Sequence, residues 1–585
     1  MVVKSYNQTM LMAETTDREL LDIVQEYTDG DKVRGRDQIL FPLRSIIHIP
    51  ELVTTHVQYD ERSRKILAAV RANVEIRARN IEKIKHQYGH CVLFNYEYKG
   101  IYQPMEHQKI IYCSIMHTDA CAILAEPGTC KTGPYLWAID KRIQDGQIKK
   151  TLIITLSDLK QNVLEEMKIQ VPHMTGAILD NREQARKVLQ KAYKSSKKNI
   201  DYNIYLMNYE SAFSMFELFP DDYFDMIILD EAHRIGSPNT RQTKVITQKL
   251  EHSKFKYIVT GSLHANNLTS FFMPFRVLGP DVLPIANFYG FRRKYMYTVD
   301  PDQHIWRPAP GAIDEVKQIV GKVSVFFKKE DCLDLPGVIY EKRYCDMSGE
   351  QAEVYQTMRK ELVAVITNMC SKCNHPGTCD MSCAETIEAK NALILSKKLH
   401  QIAAGFYINT RYEVDQITGA KTNISNVIDF KENPKLDLLM QVLNSIPSDR
   451  KVIIWTNYIH TVDLIIKRIE ESYGPGLALT CYKNQNAYEM VQKFKDPAIR
   501  WMAGNPSKFG VGQNIQYSNY QVFFTVSYSY IQRDQAISRQ DRQGQTEKVT
   551  VIDTMVRKSI DEIIYKNLMN KQDLGIKLSE LARVI

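Results

Sequence analysis

The sequence lacks the long apolar run that a membrane-spanning helix requires. No part of its 585 residues approaches about 18 consecutive apolar side chains, and residues 1–10 contain no apolar signal-peptide core. Cysteine is sparse, with 11 residues, and tryptophan is sparser, with 4. These absences argue against a membrane protein and against a secreted, disulfide-stapled protein. We therefore expect a chain that is not secreted and works in the cytoplasm of a prokaryote or of a virus-infected host cell.

The sequence also lacks a dominant charge of either sign. It has 76 Lys and Arg residues against 68 Asp and Glu residues, which gives a formal net charge of +8. This excess is compatible with a polyanionic partner but does not require one, because acidic and basic residues are interspersed. The 44% hydrophobic content predicts a globular chain with about two to four domains.

An acidic pair follows a short apolar run near the middle of the chain. Residues 226–229 are apolar and predict a buried strand, after which residues 230–233 read Asp-Glu-Ala-His and are called the acidic box below. The carboxyl ends of strands are where doubly wound sheets bind ligands. Asp230 suits a magnesium ion on nucleotide phosphates, and Glu231 can polarise an attacking water. A solvated acidic turn is the alternative interpretation.

A second apolar strand leads into a candidate phosphate loop. Residues 121–125 predict the strand, and residues 126–132, Glu-Pro-Gly-Thr-Cys-Lys-Thr, form the loop that enters a helix. Such a loop wraps backbone N–H groups around phosphates, with Lys131 reaching the terminal ones and the Thr132 hydroxyl joining Asp230 on magnesium. Cys130 stands where a glycine normally precedes the lysine, so its side chain is expected to strain the loop or crowd the phosphates. The predicted ATP contacts of this region are Gln108, as an adenine reader, Gly128, Thr129, Cys130, Lys131 and Thr132.

A third polar segment lies about 300 residues further on. In residues 535–545, a helical conformation would place Arg539 and Arg542 on one face, where they could clamp a triphosphate as arginine fingers. A solvated polar helix is the alternative. Together, Lys131, Asp230, Glu231, Arg539 and Arg542 are the predicted catalytic residues.

In this order, the segments resemble the Snf-two-type (SWI/SNF-like) ATPases of helicase superfamily two, in a minimal form such as bacterial or phage members. Further similar segments are residues 152–166, 208–210, 234–240, 260–262, 451–457 and 507–515. The resemblance implies an α/β fold with two RecA-like P-loop lobes, whose parallel sheets are flanked by helices. It also implies that ATP and Mg²⁺ are used, and that Gly512 and Gln535 contact ATP.

The resemblance further implies coupling and DNA-binding residues. The coupling residues would be Thr260, Gly261 and Ser262. The DNA contacts would be Ser157, Asn162, Asn208, Tyr209, Asn457, Ser507 and Lys508.

The expected domain organisation follows the same motifs. It comprises a mainly helical N-terminal accessory region (1–95), lobe one (96–285), an inter-lobe linker (286–340), lobe two (341–556) and a C-terminal brace helix with tail (557–585). In the accessory region, Arg62 to Lys85 predicts a basic amphipathic helix, interpreted either as a solvated face or as a phosphate-contacting helix.

A cysteine-rich insertion (368–386) interrupts lobe two. Four thiols fall within a short segment and could close a tetrahedral structural zinc site, with His375 able to replace one sulfur. Four unligated thiols are the alternative. The candidate ligands are Cys370, Cys373, Cys379 and Cys383.

The functional prediction is a monomeric, DNA-dependent ATPase that moves along or remodels duplex or branched DNA with weak sequence preference. One alternative is a strand-separating DNA or RNA helicase. Another is an ATP-gated DNA-binding protein in which Cys130 leaves little hydrolysis. The pathway is expected to be bacterial or viral DNA metabolism.

Overall fold

The computed structural model describes residues 1–7, 10–33, 36–49, 57–98, 103–194, 202–261, 268–300, 305–368, 386–414, 421–482, 487–506 and 515–569. The chain divides into two compact units, which are Met1–Thr298 with Trp306–Leu333 and Val299–Ile305 with Asp334–Ile585. In the part of the chain that is described, no helix is both long enough and apolar enough to cross a membrane.

The first unit opens with a small sheet and two helices. The strands are β1 (Val2–Ser5), β2 (Met10–Glu14), β3 (Asp31–Lys32), β4 (Gln38–Pro42) and β5 (Gln58–Tyr59), and the helices are α1 (Arg18–Thr28) and α2 (Glu61–Lys85). The strand order is β3-β4-β2-β1-β5. The prediction of a mainly helical region missed this sheet, because strands of two to five residues are too short to show a clear alternation of apolar and polar side chains.

Helix α2 confirms the predicted helix between Arg62 and Lys85. The Asp60 carboxylate caps it by accepting a hydrogen bond from the Ser63 N–H at 2.7 Å. Its buried face includes Val70, Ile81 and Ile84, together with Arg77. The Arg77 guanidinium is 2% exposed and pairs with Asp119 at 3.0 Å and Asp281 at 3.1 Å. One basic residue of this helix is therefore a buried structural contact.

A seven-stranded parallel sheet forms the core of the first unit. Strands β6 to β14 are β6 (Ala120–Ala125), β7 (Thr151–Thr155), β8 (Gly176–Leu179), β9 (Ile204–Asn208), β10 (Met226–Asp230), β11 (Phe255–Thr260), β12 (Met296–Asp300), β13 (Ile305–Pro308) and β14 (Ser324–Phe327). The sheet order is β14-β6-β11-β10-β7-β9-β8, while β12 and β13 form a separate pair. Every pairing in the large sheet is parallel.

Helices cover both faces of this sheet. They are α3 (Glu106–Met116), α4 (Thr132–Gln144), α5 (Lys160–Gln170), α6 (Arg182–Lys194), α7 (Tyr209–Met215), α8 (Arg241–Glu251), α9 (Leu268–Arg276), α10 (Phe288–Tyr295), α11 (Ala312–Gly321) and α12 (Lys329–Cys332). Alternate residues of β10 enter different cores, with Ile227 and Leu229 in one and Met226 and Ile228 in the other. This two-sided burial explains why the strand sequence is continuously apolar.

The segment 286–340, predicted as an inter-lobe linker, contributes a strand to this sheet. β14 pairs in parallel with β6, from Ser324 opposite Ala122 to Phe327 opposite Ala125. A four-residue strand at a sheet edge carries little sequence signal of its own, and its place is fixed by pairing with a distant segment.

The second unit contains a six-stranded parallel sheet. The strands of this unit that have not been given above are β15 (Val338–Cys345), β16 (Phe406–Val414), β17 (Lys421–Asp429), β18 (Val452–Trp455), β19 (Ala478–Cys481), β20 (Trp501–Gly504), β21 (Tyr520–Phe523) and β22 (Val549–Val556). The order is β15-β22-β21-β18-β20-β19, and β16 and β17 form a separate antiparallel hairpin. The predicted fold class, two α/β lobes with parallel sheets flanked by helices, is confirmed.

The helices of the second unit are α13 (Gly349–Asn368), α14 (Thr386–Ala403), α15 (Pro434–Ser445), α16 (Ile459–Tyr473), α17 (Ala487–Phe494), α18 (Tyr530–Ile537) and α19 (Ile560–Met569). Helix α19 lies in the segment predicted as a brace helix. Its fully buried Asp561 pairs with the equally buried Lys435 of α15, which fixes α19 within the second unit.

Candidate functional site

The candidate site lies at the carboxyl edge of the seven-stranded sheet. The phosphate loop, residues 126–132, connects β6 to α4, and the acidic box follows β10. β11 lies between these two strands. Because parallel strands end at a common edge, the loop, the acidic box and the end of β11 converge there.

The phosphate loop is held in shape by its own hydrogen bonds. The Thr129 hydroxyl donates to the Glu126 carbonyl at 2.8 Å, and the Glu126 carboxylate accepts a bond from the Lys329 N–H at 2.8 Å. Gly128 has φ +92° and Cys130 has φ +55°. The left-handed conformation normally costs a residue with a Cβ atom about 1–2 kcal/mol, so the expected strain at Cys130 is present in the backbone.

Two neighbouring side chains of α3 hold the strained part of the loop. His107 Nε2 donates to the Thr129 carbonyl at 2.9 Å, and Gln108 Nε2 donates to the Cys130 carbonyl at 3.1 Å. Burial lowers the pKa of His107, although the Thr129 carbonyl opposes the shift. A neutral His107 with its proton on Nε2 therefore fits this contact.

Gln108 is placed beside the loop, and its amide already has protein partners. Besides its bond to Cys130, its Oε1 accepts from the Met105 N–H at 3.0 Å. An amide nitrogen has two protons and an amide oxygen has two lone pairs, so one donor and one acceptor position remain for a ligand. The predicted adenine contact and the observed loop contact can therefore coexist.

Lys131 and Glu231 connect the loop to the acidic box. Lys131 Nζ lies 3.6 Å from Glu231 Oε1 and 3.5 Å from the Ala125 carbonyl. Glu231 itself has φ +55° and is 5% exposed. His233 Nδ1 lies 3.3 Å from Glu231 Oε2 and 3.4 Å from the Thr260 hydroxyl. The charged groups of the two motifs are thus brought together as the sequence predicts.

Asp230 is buried among hydrogen-bond donors. Its carboxylate accepts from the Thr155 hydroxyl at 3.3 Å and from the Glu231 N–H at 3.1 Å, and its carbonyl accepts from the Tyr209 hydroxyl at 2.8 Å. Burial raises the pKa of Asp230 to about 6, with Lys131 opposing the shift and Glu231 adding to it.

Asp230 and Thr132 carry oxygen atoms of the kind that Mg²⁺ prefers as ligands. Among the described residues, each carboxylate oxygen of Asp230 has one hydrogen-bond donor, which leaves a lone pair for a cation. No group of three or more His, Cys, Asp or Glu side chains that could hold a metal occurs within the described ranges. A site with few protein ligands fits Mg²⁺, which keeps waters and takes phosphate oxygens as its other ligands.

Gly261 allows the end of β11 to approach the phosphate loop. A Cβ atom at this position would lie 2.7 Å from both the Ala125 carbonyl oxygen and the Pro127 Cδ atom. Thr260, the last residue of β11, is fully buried. Ser262, the third predicted coupling residue, lies outside the described residues.

The predicted DNA contacts on the first lobe have different environments. Ser157 is exposed and Asn162 is half-buried. The Asn208 amide donates to the Glu210 carboxylate at 3.2 Å. Tyr209 is fully buried and its hydroxyl bonds to Asp230, so the predicted DNA contact at Tyr209 is wrong. Its ring packs in the core because α7 begins directly at the end of β9.

The predicted arginine pair does not lie on a helix. α18 ends at Ile537, and Arg539 and Arg542 follow in turns. Arg539 is 9% exposed, whereas Arg542 is half-buried. The prediction that these two arginines lie on a helix is therefore wrong. Their role as arginine fingers stays a prediction. Gln535 is on α18 and is buried.

The other residues predicted to contact DNA, ATP or zinc in the second lobe fall into two groups. The Asn457 amide donates to the Val526 carbonyl at 2.9 Å, a contact within the lobe. Outside the described residues lie Gly512, Ser507, Lys508 and the candidate zinc ligands Cys370, Cys373, Cys379 and Cys383.

Three residues of the first-lobe site were missed by sequence reasoning. His107 precedes the predicted glutamine, and Thr155 ends a strand with a polar side chain, a position that can signal a site residue. Tyr135 lies on α4 three residues after Thr132 and is fully buried. An apolar helix face conceals such a tyrosine, because burial accounts for it without any polar role.

Comparisons with known proteins identify the family. The SNF2-related domain matches residues 43–401. The chain is 22% identical to an uncharacterized ATP-dependent helicase of Mycoplasma genitalium over 77% of this chain and 39% of the relative. It is 23% identical to the DNA repair and recombination protein RAD54 of Oryza sativa subsp. japonica over 60% and 37%.

The chain is also similar to a solved structure. The Sulfolobus solfataricus SWI2/SNF2 ATPase core in complex with dsDNA is 18% identical, covering 84% of this chain and 97% of that one with a TM-score of 0.37. The chain spans 39% and 37% of the lengths of the two curated relatives. Since the family match extends over more than half of its residues, the chain belongs to the SNF2-related family.

Proposed function

We propose that the chain is an ATP hydrolase that couples nucleotide turnover to movement along, or remodelling of, duplex or branched DNA. The observation that carries the proposal is the 3.6 Å contact between Lys131 and Glu231, which joins the phosphate loop to the acidic box. Family membership and a relative named for DNA repair and recombination support the choice of DNA.

The residues of the first lobe have distinct tasks in this proposal. The loop N–H groups and Lys131 bind the phosphates, and Thr132 and Asp230 hold Mg²⁺. When bound, the cation neutralises phosphate charge. Phosphates compete with Glu231 for Lys131, which releases the Glu231 carboxylate to polarise the attacking water. Arg539 and Arg542 remain proposed triphosphate contacts.

Cys130 supports one alternative function. A side chain in the left-handed position of the loop favours slow hydrolysis, and thus an ATP-gated DNA-binding protein. The strand-separating helicase remains the other alternative, because backbone contacts alone do not distinguish the two activities.

Steady-state ATPase activity tests these functions. The assay uses no nucleic acid, duplex DNA, forked DNA, single-stranded DNA and RNA in parallel, with Glu231→Gln as the blank. We expect stimulation by duplex or forked DNA. Stimulation by single strands or RNA alone would instead identify a strand-separating helicase or an RNA-directed ATPase, and ATP binding without turnover would identify the nucleotide-gated protein.

A further inference from the structure

A buried tyrosine holds the peptide unit that joins the two carboxylates of the acidic box. Tyr209 is the first residue of α7 and is 0% exposed. Its hydroxyl donates to the Asp230 carbonyl at 2.8 Å, and the Glu231 N–H of the same peptide unit donates to the Asp230 carboxylate at 3.1 Å. Burial raises the pKa of Tyr209 well above its usual value, so the hydroxyl keeps its proton as a donor. The peptide unit between Asp230 and Glu231 is therefore fixed at both its oxygen and its nitrogen.

This peptide unit precedes the strained backbone of Glu231. Glu231 has φ +55°, a conformation that a residue with a Cβ atom keeps only where the surrounding structure imposes it. A rotation of the peptide unit would turn the Glu231 carboxylate, whose two oxygens lie 3.6 Å from Lys131 Nζ and 3.3 Å from His233 Nδ1. Through the backbone, the Tyr209 hydroxyl therefore controls the direction of the Glu231 side chain.

The same turn of α7 makes a second connection to the acidic box. The Glu210 carboxylate accepts from Arg234 Nη2 at 2.8 Å with one oxygen and from the Asn208 amide at 3.2 Å with the other. The Arg234 N–H in turn donates to the Glu231 carbonyl at 3.1 Å. Asn208 is a predicted DNA contact. Residues 208–210 thus connect this predicted contact to the backbone on both sides of Glu231.

We propose that Tyr209 is a positioning residue for ATP hydrolysis, whose hydroxyl sets the direction of the Glu231 carboxylate, and that residues 208–210 transmit DNA binding at Asn208 to the acidic box. This inference rests on the proposed function. A displacement of about 1 Å at a reacting group can lower a rate about 100-fold, so a small shift of this turn is enough to alter turnover. Because the phosphate loop provides most of the proposed ATP contacts, a positioning role predicts a change in kcat with little change in KM.

Tyr209→Phe tests the positioning role because it removes only the hydroxyl. With saturating ATP and duplex DNA, we expect kcat to fall at least about tenfold and the KM for ATP to stay within about twofold. In a Glu231→Gln background, the same substitution should change the single-turnover rate by less than about twofold, because residues that act through one group are not additive. Steady-state and rapid-quench assays measure these rates.

Tyr257→Phe is the matched control. Tyr257 is also fully buried, and its hydroxyl also donates to a backbone carbonyl, that of Thr118, at 2.6 Å. Thr118 precedes β6, so this bond lies at the amino edge of the sheet, away from the acidic box. We expect a lower Tm in both variants and an unchanged kcat only in Tyr257→Phe, with both assayed well below the lower of the two Tm values.

Glu210→Gln tests the DNA side of the turn. Glu210 and Arg234 are both about half exposed, so the loss of their ion pair should leave Tm nearly unchanged. We expect the ratio of ATP turnover with duplex DNA to turnover without it to fall at least about twofold. An unchanged ratio would overturn the transmission of DNA binding through residues 208–210.

The outcomes separate this inference from the proposed function. If the unmodified protein hydrolyses ATP but Tyr209→Phe keeps kcat within about twofold, the positioning role is overturned alone. An equal loss of kcat in Tyr257→Phe also overturns it, since general destabilisation would then explain both variants. If the unmodified protein hydrolyses no ATP under any of the DNA conditions, the proposed function fails together with this inference.

Discussion

The phosphate loop and the acidic box have the same backbone conformation at one residue, but the side chain of that residue makes different contacts in each. Both follow parallel strands of the same sheet, and both place a residue other than glycine in the left-handed region, at φ +55° for Cys130 and φ +55° for Glu231. In the acidic box, that residue carries the charged group that meets Lys131 and His233. In the phosphate loop, the Cys130 carbonyl accepts a hydrogen bond from Gln108, and the Cys130 thiol donates to the Gly128 carbonyl at 3.6 Å.

The backbone strain at Glu231 accompanies a side chain with a proposed chemical role. The backbone strain at Cys130 arises because cysteine stands where a glycine normally precedes the lysine. In the proposed function, Glu231 needs its side chain at that position, so glycine could not replace it. The loop needs only a backbone turn at residue 130, which glycine would supply without the steric cost. The contacts from His107 and Gln108 stabilise the loop despite Cys130.

The largest effects are expected where the two motifs meet. Glu231→Gln should lower kcat by more than about 100-fold and leave ATP affinity nearly unchanged, because it removes the group that polarises water. Lys131→Met should instead weaken ATP binding, since it removes a phosphate contact. Equilibrium binding and turnover of both variants separate the effects; a Glu231→Gln variant with normal kcat would contradict the assigned role.

A smaller effect is expected from pH. Because Asp230 has a pKa of about 6 in the folded protein, above its usual 3.8, Mg²⁺ must displace a proton below that pH. Mg²⁺-dependent ATP affinity should fall up to about tenfold for each pH unit below 6. The contribution of Asp230 to folding stability changes with pH in the opposite direction. The stabilisation is fully present below the usual pKa of 3.8 and is lost as pH rises through about 6.

Asp230→Asn is the control for this pH dependence. It should abolish Mg²⁺-dependent binding and flatten the change in Tm of the metal-free protein between about pH 4 and pH 6. A Tm profile that remains identical to that of the unmodified protein would show that Asp230 does not titrate as its burial implies.

Gly261→Ala should disturb the loop from the end of β11. The added methyl group would lie 2.7 Å from the Ala125 carbonyl oxygen, so the backbone must shift. We expect about 1–3 kcal/mol less stability in urea unfolding, together with weaker ATP binding. Gly321→Ala is the matched control, because a Cβ atom there meets nothing within 4 Å.

The smallest effect is expected at Cys130. Cys130→Gly should stabilise the protein by about 1 kcal/mol by relieving the left-handed strain. Cys130→Ala keeps a Cβ atom and should leave stability within about 0.5 kcal/mol, which separates backbone strain from the thiol. Loss of stability in the glycine variant would show that the thiol itself contributes. An increase in kcat would link the strain to slow hydrolysis.

Sequence reasoning succeeded where a signal is contained in one strand and the loop after it. The phosphate loop, the acidic box and the continuous apolar strands before them are such units, and their convergence follows from a parallel sheet. It failed where distant packing decides. Tyr209 was predicted on a DNA surface, yet its ring is buried and its hydroxyl bonds to Asp230, a residue 21 positions away. The helix before Arg539 ends earlier than its polar pattern indicated.

By itself, the sequence determined the order of the motifs, the two-lobed α/β fold and the identity of Lys131, Asp230 and Glu231 as candidate chemistry. Only the tertiary structure decided that His107 and Gln108 support the loop and that Thr155 bonds to Asp230. The physical reason is that local spacing specifies a strand and its loop, whereas strand order and helix packing decide which distant side chains meet at the sheet edge.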